Sequence, residues 1–257
     1  MNITVTKSIS IDTESGDILN TLLTGQQRAG RNHIKSEMLS CAGNFVIFSH
    51  DMQEYRPTAE LMKQSGYQLV ELCYEDFRNY FESEFYSICP EMEIRMAVYA
   101  KCKCLTKENS RCVVLIGGNR RIRTEQEQHF CNMVLKTLFT DIIGFAKENC
   151  FPVFTNLIFD EMQFHIYELA DYFIHTRSRN MRIVLNMTSM ERLSAIYSKD
   201  ELDMIAVNTR LHIYTGNSAL SSADREYLKK VFQCEPDANK TQAWINCAGK
   251  IVQERLL

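Results

Sequence analysis

Residues 157–161 read Leu157-Ile158-Phe159-Asp160-Glu161, an apolar run that ends in two adjacent acids. Carried by a strand to the carboxyl edge of a sheet, such an aspartate can hold the shell of a Mg²⁺ ion. The following glutamate can orient an attacking water, as in the Walker B strand of phosphoryl-transfer sites. The same residues also suit a plain strand running into an acidic helix start, where carboxylates complement the dipole. A second stretch bears on the choice. Residues 25–32 read GQQRAGRN, which puts Gly25 and Gly30 at the spacing of the phosphate-binding loop G-x-x-x-x-G-K-[ST]. Asn20 to Thr24 is a strand-like lead-in, and Asn32 to Leu39 can begin a helix, the context such a loop requires. Its backbone N–H groups would cradle a phosphate at the helix end.

The departures fall on the reactive groups. Arg31 stands where a lysine ammonium would reach the β- and γ-phosphates, and a bulkier planar guanidinium is not its equivalent. Asn32 stands where a Ser or Thr hydroxyl would ligate Mg²⁺. The candidate ligands are therefore ATP and Mg²⁺, with Gly25, Gly30, Arg31 and Asn32 on the nucleotide, Asp160 on the metal, and Asp160 with Glu161 as the catalytic pair. Arg120, Arg121 and Arg123 cluster after another apolar run and offer contacts to a nucleotide or to DNA phosphates. His33, His165, His175 and His212 are scattered, with no nucleophile spaced to pair with them. Trp244 is expected to pack on the core.

These residues need strands and helices to position them. Short apolar runs lie at 45–48, 67–72, 113–116, 153–159, 181–185 and 211–214. Each is rich in Val, Ile, Phe or Tyr, as strands buried on both faces of a parallel sheet are. Helical stretches separate them. Thr58 to Ser65 follows Pro57, and Thr124 to Lys147 carries a stripe of Phe130, Val134, Leu138, Ile142 and Phe145. Phe164 to His175 and Ala223 to Phe232 show similar faces. The alternation predicts βαβ units. Ile3, Val5, Ile9 and Ile11 alternate, which predicts an antiparallel edge strand or hairpin at the N-terminus. The segment from Glu75 to Ser110 has no clean period beyond a helical reading around Ile94 to Cys104.

Composition narrows the class. The 257 residues are 45% apolar and 24% charged, with a net charge of -3, which gives no general pull toward nucleic acid. The ten cysteines sit mostly in apolar runs, and Cys102 with Cys104 has no second pair at zinc spacing. A reducing, cytoplasmic setting is expected. No window of about 18 apolar residues exists to cross a bilayer.

At this point a family resemblance emerges. The chain resembles the nucleotide-binding domain of type IV coupling proteins, the RecA-like ATPases of conjugative DNA transfer and type IV secretion. FVIFSHDMQEYRPTAELMKQSGYQLVELCYEDF (45–77) is similar to the family's strand, D-P-K-G-E loop, Y-R-x-T-A helix and G-Y-x-V strand. CVVLIGGNRRIRTEQEQHFCNMVLKTLFTDI (112–142) resembles the strand and long helix before its Walker B. FPVFTNLIFDEMQ (151–163) resembles the Walker B block, and residues 174–217 follow its R-S-R, sensor strand, Q-L-x-x-x-Y and g-N-c order.

The resemblance implies one α/β domain over 1–257, of RecA-like P-loop NTPase type. It would have a mostly parallel sheet, helices on both faces, an N-terminal antiparallel edge, and 75–110 as a short helical insertion. It also implies interface arginines at Arg177 and Arg179, and it places the γ-phosphate-sensing glutamine near Thr188. The acid of the D-P-K-G-E loop becomes Ser49. Partners would be other secretion or conjugation proteins, with DNA reached through Arg120, Arg121 and Arg123 and no direct membrane insertion. A cytoplasmic protein associated with a membrane complex, and a monomer or weak dimer in isolation, are expected. Two functional readings follow: a binding or assembly module with a degenerate ATP site, or a Mg-ATPase working through Asp160 and Glu161.

Overall fold

The computed structural model describes residues 2–4, 10–12, 20–82, 90–118, 124–144, 150–216, 220–233 and 243–254. Its elements in chain order are β1 (Asn2–Thr4), β2 (Ser10–Asp12), β3 (Thr21–Thr24), α1 (Gln27–Ser40), β4 (Asn44–Ser49), α2 (Arg56–Gln64), β5 (Gln68–Cys73), α3 (Tyr74–Glu82), α4 (Pro90–Cys102) and β6 (Cys112–Gly117). There follow α5 (Glu125–Thr137), β7 (Thr155–Asp160), α6 (Leu169–His175), β8 (Met181–Met187), α7 (Met190–Ser194), α8 (Lys199–Val207), β9 (Leu211–Tyr214), α9 (Ser222–Phe232), β10 (Ala243–Cys247) and β11 (Lys250–Glu254).

Nine strands form one sheet in the order β11-β10-β9-β3-β8-β7-β4-β6-β5. The β3–β8, β3–β9, β4–β6 and β5–β6 pairs are parallel, so the fold is the mostly parallel α/β arrangement that the alternation predicts. The apolar runs are buried because helices cover parallel sheets, and β3, β4, β6, β7 and β8 are buried along their whole lengths.

The N-terminal alternation takes the antiparallel hairpin form of the expectation rather than the edge of the large sheet. β1 and β2 pair with each other as a separate two-stranded sheet. The antiparallel members of the large sheet are C-terminal, where β10 pairs with β9 and with β11. A tight turn with Gly249 at φ +94° joins β10 to β11. Trp244 on β10 is half-buried and meets Phe232 edge to face at 6.3 Å, as expected of a core-packing ring.

The chain divides into two compact units, one of Met1–Ala42, Ile158–Arg177 and Arg182–Leu257, the other of Gly43–Leu157 and Ser178–Met181. In the first, buried Asn20 fixes the start of β3. Its Oδ1 accepts from Ile183 N–H at 3.0 Å, while its Nδ2 donates to the carbonyls of Phe173 and Asn208, each at 3.0 Å. One side chain thus ties β3 to β8 and to the ends of α6 and α8, satisfying backbone groups that have no ladder partner. In the second, Asn44 plays a similar part. Its Oδ1 accepts from Cys112 N–H at 2.9 Å, and Asn156 Nδ2 donates to its carbonyl at 3.0 Å.

Helix boundaries shift in instructive places. α5 stops at Thr137 and passes into a π-helical turn at Leu138–Ile142, while Phe145 of the predicted stripe lies outside the described residues. α6 begins only at Leu169, because Glu168 sits in the left-handed region at φ +64° and breaks the expected run from Phe164. The 75–110 segment carries α3, α4 and a 3-10 turn at Lys103–Thr106.

Candidate nucleotide site at the carboxyl edge

The register of β3 with β8 and β9 pairs Thr24 with both Met187 and Tyr214, so residues 25, 188 and 215 leave the sheet at one edge. Asp160 ends β7 and is wholly buried. The two sequence-predicted stretches do meet: Arg31 Nε donates to Asp160 Oδ2 at 2.8 Å. The other carboxylate oxygen, Oδ1, accepts from Asn186 Nδ2 at 2.7 Å.

Between β3 and α1 only residues 25–26 intervene, since the helix begins at Gln27 rather than at Asn32. The segment that the glycine spacing marks as a loop is therefore mostly helix. Three of its amides are engaged: Ala29 N–H and Gly30 N–H both donate to Gln26 O, at 3.0 and 3.1 Å, and Gly25 N–H donates to Met187 O at 3.2 Å. Amides spent this way do not face a phosphate.

Both glycines are required by what they touch. Gly25 has φ +113°, and a Cβ there would lie 2.7 Å from Thr215 Oγ1. At Gly30 a Cβ would fall 2.0 Å from Asn186 Oδ1, so α1 packs hard against the amide that holds Asp160. Asn32 is exposed.

Glu161 differs from its neighbour. Its backbone is left-handed at φ +53°, held by its own N–H donating to Asn186 O at 2.8 Å. Its Oε2 accepts from Thr188 Oγ1 at 3.4 Å and from Arg192 Nη1 at 3.2 Å, but Arg192 is 56% exposed and screened. Oε1 is buried without a hydrogen bond among the described residues. Burial, then the adjacent Asp160 charge, pushes the Glu161 carboxyl above its ordinary range, with Arg192, the Thr188 backbone and Arg31 pulling the other way.

A Mg²⁺ ion would need oxygen ligands with an opening toward water. Asp160 has both oxygens committed, one of them to a cation, and the guanidinium stands where an incoming divalent ion would be repelled. These residues do not fit the metal. Among the described residues, no group of three or more His, Cys, Asp or Glu side chains is placed to hold any metal ion.

Arg177 and Arg179 lie on a 3-10 turn, Arg177 exposed and Arg179 half-buried. Arg120, Arg121 and Arg123 lie outside the described residues. The sequence reading misses Asn186 and Arg192. Asn186 carried a usable signal, a polar residue inside the apolar run MRIVLNM.

No protein-family model and no curated protein sequence matches the chain. Solved structures do match. The bacterial conjugative coupling protein TrwBdeltaN70 in complex with sulphate aligns over 100% of this chain and 89% of its own, at TM-score 0.62 and 11% identity. TrwB in complex with ADP and Mg²⁺ aligns over 99% and 89%, at TM-score 0.63 and 10% identity. VirB4 of Thermoanaerobacter pseudethanolicus aligns over 93% and 89%, at TM-score 0.57 and 8% identity. The chain has the RecA-like P-loop ATPase fold of these proteins, as its sequence blocks predict.

Proposed function

We propose that this chain is a coupling-protein-like domain of a type IV secretion or conjugation system that serves as a binding or assembly module with a degenerate nucleotide site. One observation carries the reading: the Arg31 guanidinium is bonded to Asp160, the carboxylate on which Mg²⁺ chemistry in this fold depends. The helical form of residues 27–32 and the amide of Asn32 where a hydroxyl ligand would stand support it. Thr188 in place of a sensing amide completes the set. Residues 1–257 act in this reading as one RecA-like domain with 75–110 as its helical insertion.

The partners are other components of the secretion or conjugation machinery, with DNA contacts through Arg120, Arg121 and Arg123. No helix among the described residues is long and apolar enough to cross a membrane, so attachment to a membrane complex would run through those partners. In dilute solution the chain is a monomer or weak dimer, and a stable nucleotide-free hexamer by light scattering would count against an assembly module of this kind. The direct test is thermal melting with and without Mg-ATP. Unchanged melting is expected, and a Mg-dependent rise that Asp160→Ala abolishes would instead support a working nucleotide site.

A further inference from the structure

The large sheet ends on β5 at one side and on β11 at the other. At β5, Lys101 Nζ of α4 donates to the carbonyl of Glu71 at 3.3 Å, so a side chain takes up one carbonyl of that edge strand. Among the described residues, no strand pairs with the outer side of β11. Its turn decides which groups point outward. Ala248 at φ +50° and Gly249 at φ +94° match the two-residue type I′ turn of a hairpin, flanked by the paired Cys247 and Lys250. The flanking pair exchanges both backbone hydrogen bonds, and the pairs beyond it alternate. Val252 and Glu254 therefore turn their backbone groups toward β10, while Ile251 and Gln253 turn N–H and C=O away from it. A bond on the far side of β10 has the same phase. Ala248 N–H donates to Arg210 O at 2.8 Å, so Trp244 and Asn246 face β9, and Ile245 and Cys247 face β11.

We propose that the outer edge of β11 pairs antiparallel with β11 of a second copy of this chain, about a two-fold axis passing between their Val252 residues. The strand is self-complementary in that register. Ile251 stands opposite Gln253 of the second copy, and the outward N–H and C=O groups of each such pair exchange hydrogen bonds. The two-fold axis makes this pair twice. Val252 meets its own counterpart in the intervening pair, where side chains approach most closely. Lys250 stands opposite Glu254 of the second copy, and opposite charges at facing positions attract.

The hairpin is held in place for this contact. Trp244 meets Phe232 of α9, Asn246 Nδ2 donates to Val231 O at 2.6 Å, and Ile251 packs on the cluster of Tyr214, Leu228 and Phe232. Lys250 and Gln253 are exposed, and Val252 is half-buried. No proline or bulge interrupts residues 250–254, so none of the usual backbone devices blunts the edge. Five strand residues make a small interface, which sets a weak dimer that forms at high concentration. Neither Arg31 nor Asp160 takes part, so pairing and nucleotide chemistry can fail separately.

Sedimentation velocity over a rising concentration series tests the pairing. A shift from monomer to dimer is expected, with nothing larger, because a two-fold contact uses the same edge on both copies. Gln253→Pro removes an outward N–H without touching a bond to β10, and an edge strand tolerates proline there. It should abolish the dimer while thermal melting of the monomer stays unchanged. Lys250→Glu and Glu254→Lys each set like charges opposite one another at both ends of the contact, and each should weaken association roughly tenfold. Combining the two reversals should restore it. A monomer at every concentration, a dimer indifferent to Gln253→Pro, or a double reversal no tighter than the single ones would overturn the pairing. Should Gln253→Pro fail to fold, the charge reversals alone decide between these outcomes.

Discussion

Helix α1 carries two residues that meet a buried charge of opposite sign, and the two sites are built differently. Near its start, Arg31 reaches Asp160 while remaining 14% exposed itself. Further along, Glu37 meets Arg182 of β8, and both side chains are almost wholly buried. His33, one turn before Glu37, places Nε2 3.4 Å from its Oε1. Burial alone would raise the Glu37 carboxyl, but Arg182 and His33 outweigh it and hold the group down to about 2. The inner pair is therefore a structural fixture. The outer pair sits at the carboxyl edge of the sheet, with one partner able to move into water.

The comparison breaks most visibly at the inner site. Arg182→Met leaves Glu37 as a buried, largely unpaired charge, and a loss of about 3–5 kcal/mol in denaturant unfolding is expected. Adding Glu37→Leu should recover most of it, since a matched apolar pair restores what the lone charge costs. A double variant as unstable as the single would show that the charge is not the cause.

Acid sharpens the contrast next. A carboxyl held at about 2 in the fold, against an ordinary 4.5, adds stability that is fully present above pH 4.5 and lost as pH falls toward 2. The loss should be about 3 kcal/mol, read from unfolding midpoints across that window. It should nearly vanish in Arg182→Met. His212 acts at higher pH: burial pushes its imidazole down to about 4, so its contribution falls between pH 6.5 and 4. A transition confined to that upper window would assign acid sensitivity to His212 instead.

A smaller effect is expected at the outer site. Arg31→Ala leaves Asp160 with the Asn186 amide and with water entering from the edge, at a cost of about 2 kcal/mol. Asp160→Asn on that background should return part of it. A loss as large as that of Arg182→Met would erase the distinction between the two pairs.

Much of this was legible in the sequence, for identifiable reasons. Continuous apolar runs such as FVIF, CVVLIG and NLIFD became fully buried strands, because a parallel sheet hides both faces. The convergence of residues 25–32 on Asp160 followed from that topology. The local form of GQQRAGRN did not follow. Residues 26–29 are Gln, Gln, Arg and Ala, which favour helix, and no glycine among them holds a loop open. The glycine spacing therefore matches that of a phosphate loop while the residues between form helix. Asn186, Arg182 and Glu37 also escaped the reading, since a polar residue in an apolar run shows its purpose only when its partner is known. The C-terminal hairpin of β10 and β11 has no counterpart in the sequence reading, while the N-terminal alternation does pair antiparallel.

Hydrolysis of ATP in the presence of Mg²⁺ tests the central claim most directly. Each missing charge-stabilising contact in such a site costs on the order of 10²–10³ in rate, and in the proposed reading Arg31, Asn32 and Thr188 stand where the lysine, the hydroxyl and the sensing amide would be. No turnover above background is expected of the wild type. Arg31→Lys with Asn32→Thr should raise nucleotide affinity more than rate, because Thr188 is unchanged. Wild-type turnover near about 1 s⁻¹ that disappears in Glu161→Gln would contradict the account and establish a working ATPase.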